Sequence, residues 1–238
     1  MNHVVCMKWG AKYPPAYVNT LYAMVRRQLE APFRFLCLTD DRSGIRPEVE
    51  CRDLPAIELG GAKPHHGWRK FSMFSPELHD LDGPILFLDL DLVLIDRLDP
   101  FFSHPGRFCI IENWTQPGRG IGNSSVFRFQ AGDFQGVFER FEREAGEAVA
   151  AYPNSQTFLS HLIEDKTWWP ETWCRSFKHH CMPHPLLRPI VPPRPPEGTR
   201  IVVFHGDPKP PEAADGVWPG KRRIIRPAPW IADHWRDT

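Results

Sequence analysis

The stretch Ile85-Leu86-Phe87-Leu88-Asp89-Leu90-Asp91-Leu92-Val93-Leu94 constrains this chain more than any other. Apolar residues that continuous predict a strand buried on both faces, which belongs at the centre of a sheet covered by helices on each side. Two acids interrupt it. On a strand, residues i and i+2 point to the same face, so Asp89 and Asp91 are expected to project together. Neighbouring carboxylates beside a core repel each other and lose hydration, unless something neutralises them. A divalent cation would do so, and carboxylate oxygens suit Mg²⁺ or Mn²⁺. The competing reading is a strand end whose acids cap a turn or pair with Arg or Lys. The apolar flanks favour the metal.

The segments before this strand alternate in type. Val4–Met7 and Phe33–Leu38 read as strands. Between them, Pro14-Pro15 starts a helix with Val18, Leu21, Tyr22, Val25 and Leu29 at helical spacing. Trp68–Leu78 is predicted as a helix, with Phe71, Phe74 and Leu78 on one face. Further on, Phe108–Glu112 and Ser125–Phe129 are predicted strands, and Phe134–Ala151 and Ser155–Ile163 predicted helices. This alternation predicts an α/β domain, Rossmann-like, with a mainly parallel central sheet flanked by helices. The 238 residues suffice for one ordinary domain, here 1–212, followed by a basic and aromatic tail at 213–238. Residues 183–230 hold half of the 26 prolines, so apart from the strand Ile201–Phe204 they are expected to wrap over the domain as an extended strap.

Charge and cysteine usage narrow the functional classes. The 29 basic residues balance the 29 acidic ones, which gives no general attraction to nucleic acid. No apolar run is long enough to span a bilayer, and the first residues lack the pattern of a signal peptide. Six scattered cysteines read as reduced thiols, and a cytoplasmic location is expected.

A second strand, Val202-Val203-Phe204, also ends in chemistry: His205-Gly206-Asp207-Pro208-Lys209-Pro210. His205 is a potential metal ligand, Gly206 permits close backbone approach, and Lys209 is a point charge suited to phosphate. Together with Asp89-Leu90-Asp91, this segment resembles the GT-A glycosyltransferases, most closely the family of lipopolysaccharide galactosyltransferases and glycogenin. The resemblance implies Mn²⁺ (or Mg²⁺) held by Asp89, Asp91 and His205 against the diphosphate of a nucleotide sugar, with Lys209 on the phosphates. The spacing from His205 to Lys209 is shorter than in the family, and no tryptophan follows Pro210.

Other segments match the family in order. Gly67-Trp68-Arg69-Lys70-Phe71 lies where the family carries a bracing arginine, so Arg69 and Lys70 join Lys209 as phosphate-side candidates. Asn123 and Ser124, in Gly122-Asn123-Ser124-Ser125-Val126-Phe127, resemble the segment near the sugar. Asn154-Ser155-Gln156 resembles an Asp-Gln-Asp segment; Ser155 replaces an acid and Gln156 is kept. Asp40, at the end of the second strand, falls where the family contacts the base. What this implies is a metal-dependent transfer of a sugar from a nucleotide-diphosphate donor, with UDP as carrier, to a glycan, lipid-linked or other acceptor, and with retention. Gln156 and Asp91 are the catalytic candidates. The chemistry is coherent on its own terms, since a cation together with lysines stabilises a departing diphosphate more in the transition state than in the ground state.

Two alternatives stand beside this reading. A haloacid-dehalogenase-like phosphatase also uses Asp-x-Asp after an apolar strand, although that fold usually begins with it. The other is a catalytically silent binding module on the same scaffold. Cys174, His179, His180, Cys181 and His184 offer zinc-type ligands at spacing unlike a zinc ribbon, and a packed loop is expected instead. Trp168, Trp169, Trp173, Trp218, Trp230 and Trp235 are read as anchors for the proline-rich strap, with a sugar platform as the competing role. Lys221–Trp235 is a candidate for peripheral contact with an anionic membrane.

Overall fold

The computed structural model describes residues 1–62, 67–78, 80–220 and 225–238. The first half carries β1 (Asn2–Lys8), α1 (Pro15–Gln28), β2 (Phe33–Thr39), β3 (Glu50–Arg52), a 3-10 helix (Gly67–Phe74), β4 (Pro84–Leu88), β5 (Leu92–Leu94), α2 (Asp99–Ser103) and β6 (Phe108–Glu112). There follow β7 (Gly122–Gln130), α3 (Gln135–Ala151), α4 (Ser155–Leu162), β8 (Thr167–Trp168), β9 (Cys174–Ser176), β10 (Ile201–Val203), α5 (Pro210–Ala214) and α6 (Trp230–His234).

Strand alternation builds the layers. Val4 and Cys6 of β1, Phe35 and Cys37 of β2, and Leu86 and Leu88 of β4 enter one core with Val18, Leu21 and Val25 of α1. The intervening residues, Val5 and Met7, Leu36 and Leu38, Ile85 and Phe87, enter a second core with Phe71 of the 3-10 helix, Phe141 of α3 and Phe158 of α4. A sheet apolar on both faces requires both covers, as the sequence predicts.

The main sheet has seven strands in the order β3-β2-β1-β4-β7-β6-β8. β7 runs antiparallel to β4 and β6; the other pairings are parallel. The predicted α/β class with a mainly parallel sheet is what the chain adopts. A second sheet has the order β5-β10-β9, with β10 antiparallel to β5 and parallel to β9.

Two local predictions change in the first half of the chain. The expected helix at Trp68–Leu78 is 3-10 over Gly67–Phe74 and again over Pro76–Leu78. A 3-10 turn superposes residues i and i+3, which puts Trp68, Phe71 and Phe74 on one buried side, and Pro76 has no N–H to extend the first segment. Also, Ile85–Leu94 is not one strand. β4 ends at Leu88, Asp89-Leu90-Asp91 forms a turn, and β5 continues in the other sheet.

The proline-rich segment packs onto this frame but is not extended throughout: α5 forms over Pro210–Ala214, where Pro210 and Pro211 occupy first-turn positions that need no N–H partner. Ala213, Ala228 and Ile231 are buried in the same core as α1. The indole of Trp230 donates to the Pro193 carbonyl at 3.0 Å, and Trp235 lies edge-on to Tyr17 at 5.1 Å. The Arg27 guanidinium donates to the carbonyls of His234, Arg236 and Thr238. Of the expected membrane-contact segment Lys221–Trp235, residues 221–224 lie outside the described residues.

Candidate functional site

The turn between the two sheets positions the acids. The Asp89 N–H donates to the Ser125 carbonyl at 2.9 Å, closing the β4–β7 ladder, and the Asp91 carbonyl accepts from the Phe204 N–H at 3.3 Å, opening the second sheet. Leu90 between them is buried in the α1-side core. Asp89 and Asp91 are therefore brought to one cavity by a crossing between sheets, which corrects the expectation that strand pleating aligns them. The cavity, about 230 Å³, sits beyond the carboxyl ends of β1 and β4, where sheets of this kind bind ligands.

Register brings in the distant residues. Val203 pairs with Leu92 antiparallel, so the residues after β10 run back past Asp91. His205, Gly206 and Lys209 line the cavity as a result. Ser176 pairs with Val203 in parallel, which delivers Ser176 and then Lys178 to the same end. The Ser176 hydroxyl is 2.7 Å from His205 Nε2, and Lys178 Nζ donates to the His205 carbonyl at 2.6 Å. Gly206 has φ +72°, and a Cβ there would stand 3.2 Å from Lys178 Nζ. Glycine lets this loop bend against the lysine at little conformational cost.

Each acid has a lysine. Lys70 Nζ lies 2.7 Å from Asp89 Oδ1 and donates to the Ser124 carbonyl at 3.0 Å. Lys209 Nζ donates to Asp91 Oδ2 at 2.5 Å and to the Tyr13 hydroxyl at 2.9 Å, and Tyr13 itself donates to Asp91 Oδ2 at 2.6 Å. Burial pushes the Asp89 carboxyl above the usual carboxylate range; Lys70 opposes this and the Asp91 charge adds to it. Burial and then the Asp91 charge push the Tyr13 phenol up, so it stays a donor at neutral pH. Burial, with Lys178 next, pushes the His205 imidazole down to about 4. His205 is thus neutral and keeps a lone pair for coordination at neutral pH.

The other predicted residues distribute as follows. Asn123, Ser124 and Gln156 line an adjoining cavity of about 360 Å³ that shares Lys70, Asp89 and His205 with the first. The Ser124 N–H donates to Gln156 Oε1 at 3.4 Å, and Asn123 Oδ1 accepts from the Ser125 N–H at 3.0 Å. The side chain of Lys70, not that of Arg69, lines the cavities. Arg69 Nε is buried and has no hydrogen-bond partner among the described residues. Asp40 is exposed; it accepts from the Gly10 N–H at 2.9 Å, in the loop just after β1, and lines neither cavity.

Sequence reasoning missed Tyr13, Ser176, Lys178 and Trp114. Tyr13 had a usable signal, since it follows the first strand in the Trp9–Tyr13 loop at a ligand-binding sheet end. Ser176 and Lys178 fall within the segment weighed for zinc. There the structure forms a π-helical turn, Phe177–Cys181, with Cys174 and Cys181 in the core and His180 Nδ1 accepting from the Ser176 N–H.

Two carboxylates and an unprotonated imidazole on one cavity fit a divalent cation in donor type. Their ligating atoms are turned to Lys70, Lys209 and Ser176. Among the described residues no three His, Cys, Asp or Glu side chains gather closely enough to hold a metal ion. The expected set of Asp89, Asp91 and His205 shares a wall but does not converge on a point.

No protein-family model and no curated protein matches this chain. Solved structures do. The chain is similar to galactosyltransferase LgtC, solved in complex with donor and acceptor sugar analogs, at TM-score 0.64 and 14% identity over 87% of this chain and 88% of that one. It is also similar to the glycosyltransferase GlyE of Streptococcus pneumoniae TIGR4, at TM-score 0.60 and 16% identity over 88% of this chain and 56% of that one. The bifunctional glycosyltransferase WbbM gives TM-score 0.58 and 12% identity over 87% and 46%. The fold is that of GT-A glycosyltransferases, as the resemblance in the sequence implies. No helix among the described residues is long and apolar enough to cross a membrane.

Proposed function

We propose that this chain is a glycosyltransferase that moves a sugar from a nucleotide-diphosphate donor, UDP-linked, to a saccharide acceptor with retention of configuration. One observation carries the reading: two acids, each paired with a lysine, share a cavity at the carboxyl ends of the central parallel strands, on a fold common to glycosyltransferases.

The chemistry follows from those charges. Breaking the bond between sugar and diphosphate loads negative charge onto the departing phosphate oxygen. Lys209 and Lys70 are held beside that cavity before the donor arrives, so little reorganisation is needed when the charge develops. If the donor phosphates draw Lys70 and Lys209 away, the freed carboxylates of Asp89 and Asp91, with His205, would be the residues to hold a divalent cation, which would supply Lewis-acid stabilisation of the same leaving group. Each lysine then trades a carboxylate for a phosphate, which preserves its ion pairing. Gln156, with Asn123 and Ser124, takes the sugar in the adjoining cavity, and the amide is the polar group nearest in role to the reacting carbon. Asp40, which accepts from the Gly10 N–H in the loop whose Trp9 and Lys12 line the first cavity, takes the base.

The test is release of nucleoside diphosphate from a panel of UDP- and GDP-sugars, with and without Mn²⁺, together with thermal shifts for each donor. A donor that stabilises the fold and is turned over supports the reading, because a ligand bound to the native state raises stability by mass action. If no nucleotide sugar shifts the melting temperature, or if Asp91→Ala leaves shift and turnover unchanged, the proposal is wrong.

A further inference from the structure

A third cavity, about 430 Å³, adjoins the Gln156 cavity and shares Asn113 and Trp114 with it. The two named cavities and this one thus lie side by side, from Lys209, past Gln156, to an aromatic cleft. Its size falls within the range that binds small ligands. The cleft follows from the sheet edge: β8 pairs with β6, Ile110 with Trp168, and the Trp169 N–H donates to the Ile110 carbonyl at 3.0 Å. Trp169 is buried and fixed by its indole N–H to the Val126 carbonyl at 3.2 Å. Trp114 is held by its indole N–H to the Cys174 carbonyl at 3.3 Å and lies nearly parallel to the His205 ring. Lys166 donates to the Ser160 and Ile163 carbonyls and places its ammonium 5.7 Å from the Trp168 ring.

The lining combines half-buried indoles of Trp114 and Trp168, Pro117 and Pro170 with the polar groups of Glu112, Asn113, Glu171 and His180. Among the described residues it includes no Lys or Arg. The Glu171 carboxylate is partnered by Arg175 at 2.8 Å, and Glu112 accepts from the Gly118 N–H at 2.8 Å. Flat apolar walls suit the C–H face of a pyranose, and carboxylates and amides suit its hydroxyls. A phosphate or carboxylate on the ligand would meet the Glu112 carboxylate, while the bordering cations Lys166 and Arg175 are engaged with the Ser160 and Ile163 carbonyls and with Glu171.

We propose that this cleft is the acceptor subsite and that it takes an uncharged saccharide, selected against phosphorylated and carboxylated ones. The proposal rests on the transferase reading for its link to turnover, but the cleft's binding chemistry can be measured without a donor. Lactose, N-acetylglucosamine and glucose 6-phosphate serve as probes, with ligand-observed NMR reading saturation transfer. Lactose or N-acetylglucosamine should show transfer from the protein, glucose 6-phosphate should show at least about tenfold weaker binding, and Trp168→Ala should weaken the neutral sugar about tenfold. Trp168→Phe should retain most of the affinity, which separates a lost aromatic wall from a lost fold. In turnover assays Trp168→Ala should raise the acceptor KM by the same factor while donor hydrolysis to water stays unchanged. Equal binding of glucose 6-phosphate, or unaltered saccharide binding by folded Trp168→Ala, would overturn the subsite. Absent donor turnover in the unmutated protein, with saccharide binding intact and sensitive to Trp168, would instead remove the transferase reading and leave the cleft standing.

Discussion

Two groups of ion pairs in this molecule look alike on paper and differ in what surrounds them. At the sheet edge, Arg34 and Arg52 pair with Glu50, and Arg52 also pairs with Asp80; the side chains are 24% to 56% exposed. In the cavity, Lys70 pairs with Asp89 and Lys209 with Asp91, and those side chains are 10% to 24% exposed. Water screens the first group, so it contributes little to stability. The second group is enclosed and forgoes hydration, and replacing such pairs by apolar residues is often neutral or stabilising. Under the proposed function, its arrangement is a set of charges held ready for a diphosphate. The edge pairs brace a strand; the cavity pairs can exchange partners.

That contrast can be broken in several ways. Chelation is the largest expected effect: EDTA should lower turnover on the order of a thousandfold, and Mn²⁺ should restore it. Full turnover in EDTA would mean that the lysines alone neutralise the diphosphate. Lys209→Met should lower kcat/KM roughly a hundred- to a thousandfold, read by steady-state kinetics with the donor. A change of less than about threefold would reduce Lys209 to a structural counter-ion. Gly206→Ala places a Cβ at positive φ against Lys178, and should cost about 1 kcal/mol in urea unfolding, with a raised donor KM.

The smallest effect belongs to the edge. Arg52→Ala should cost at most about 1 kcal/mol and leave donor kinetics unchanged. Its signature is in pH. Against burial, hydrogen bonds from Arg34 and Arg52 hold Glu50 below the usual carboxylate range, and the Arg52 hydrogen bond does the same for Asp80. Acids lowered in the folded state add stability above their unfolded pKa, near 4, and that increment is lost as pH falls through the lowered values. The urea midpoint of the unmutated protein should therefore drop more between pH 6 and pH 3 than that of Arg52→Ala. Parallel curves would show that Arg52 does not carry this increment.

Much of the frame was legible in the chain. The period-two alternation of β1, β2 and β4 and the helical spacing in α1 are consequences of local backbone geometry, and they appear where the pattern puts them. The acidic turn was legible as chemistry but not as shape, because eight apolar residues in a stretch of ten read as one strand whether they serve one sheet or two. Arg69 and Lys70 are neighbours in sequence with similar charge, and only the 3-10 path of that segment decides which of them faces the cavity.

The residues alone determined that the chain makes a two-faced sheet with helical covers and that acids interrupt its centre, since both depend on near neighbours and hydropathy. Tertiary structure decided the partners. Lys209 meets Asp91 across 118 positions only because β10 lies antiparallel on β5, and Ser176 reaches His205 only because β9 joins β10 in parallel. Register between distant strands is settled by the packing of whole faces, a collective property that no short window of sequence contains.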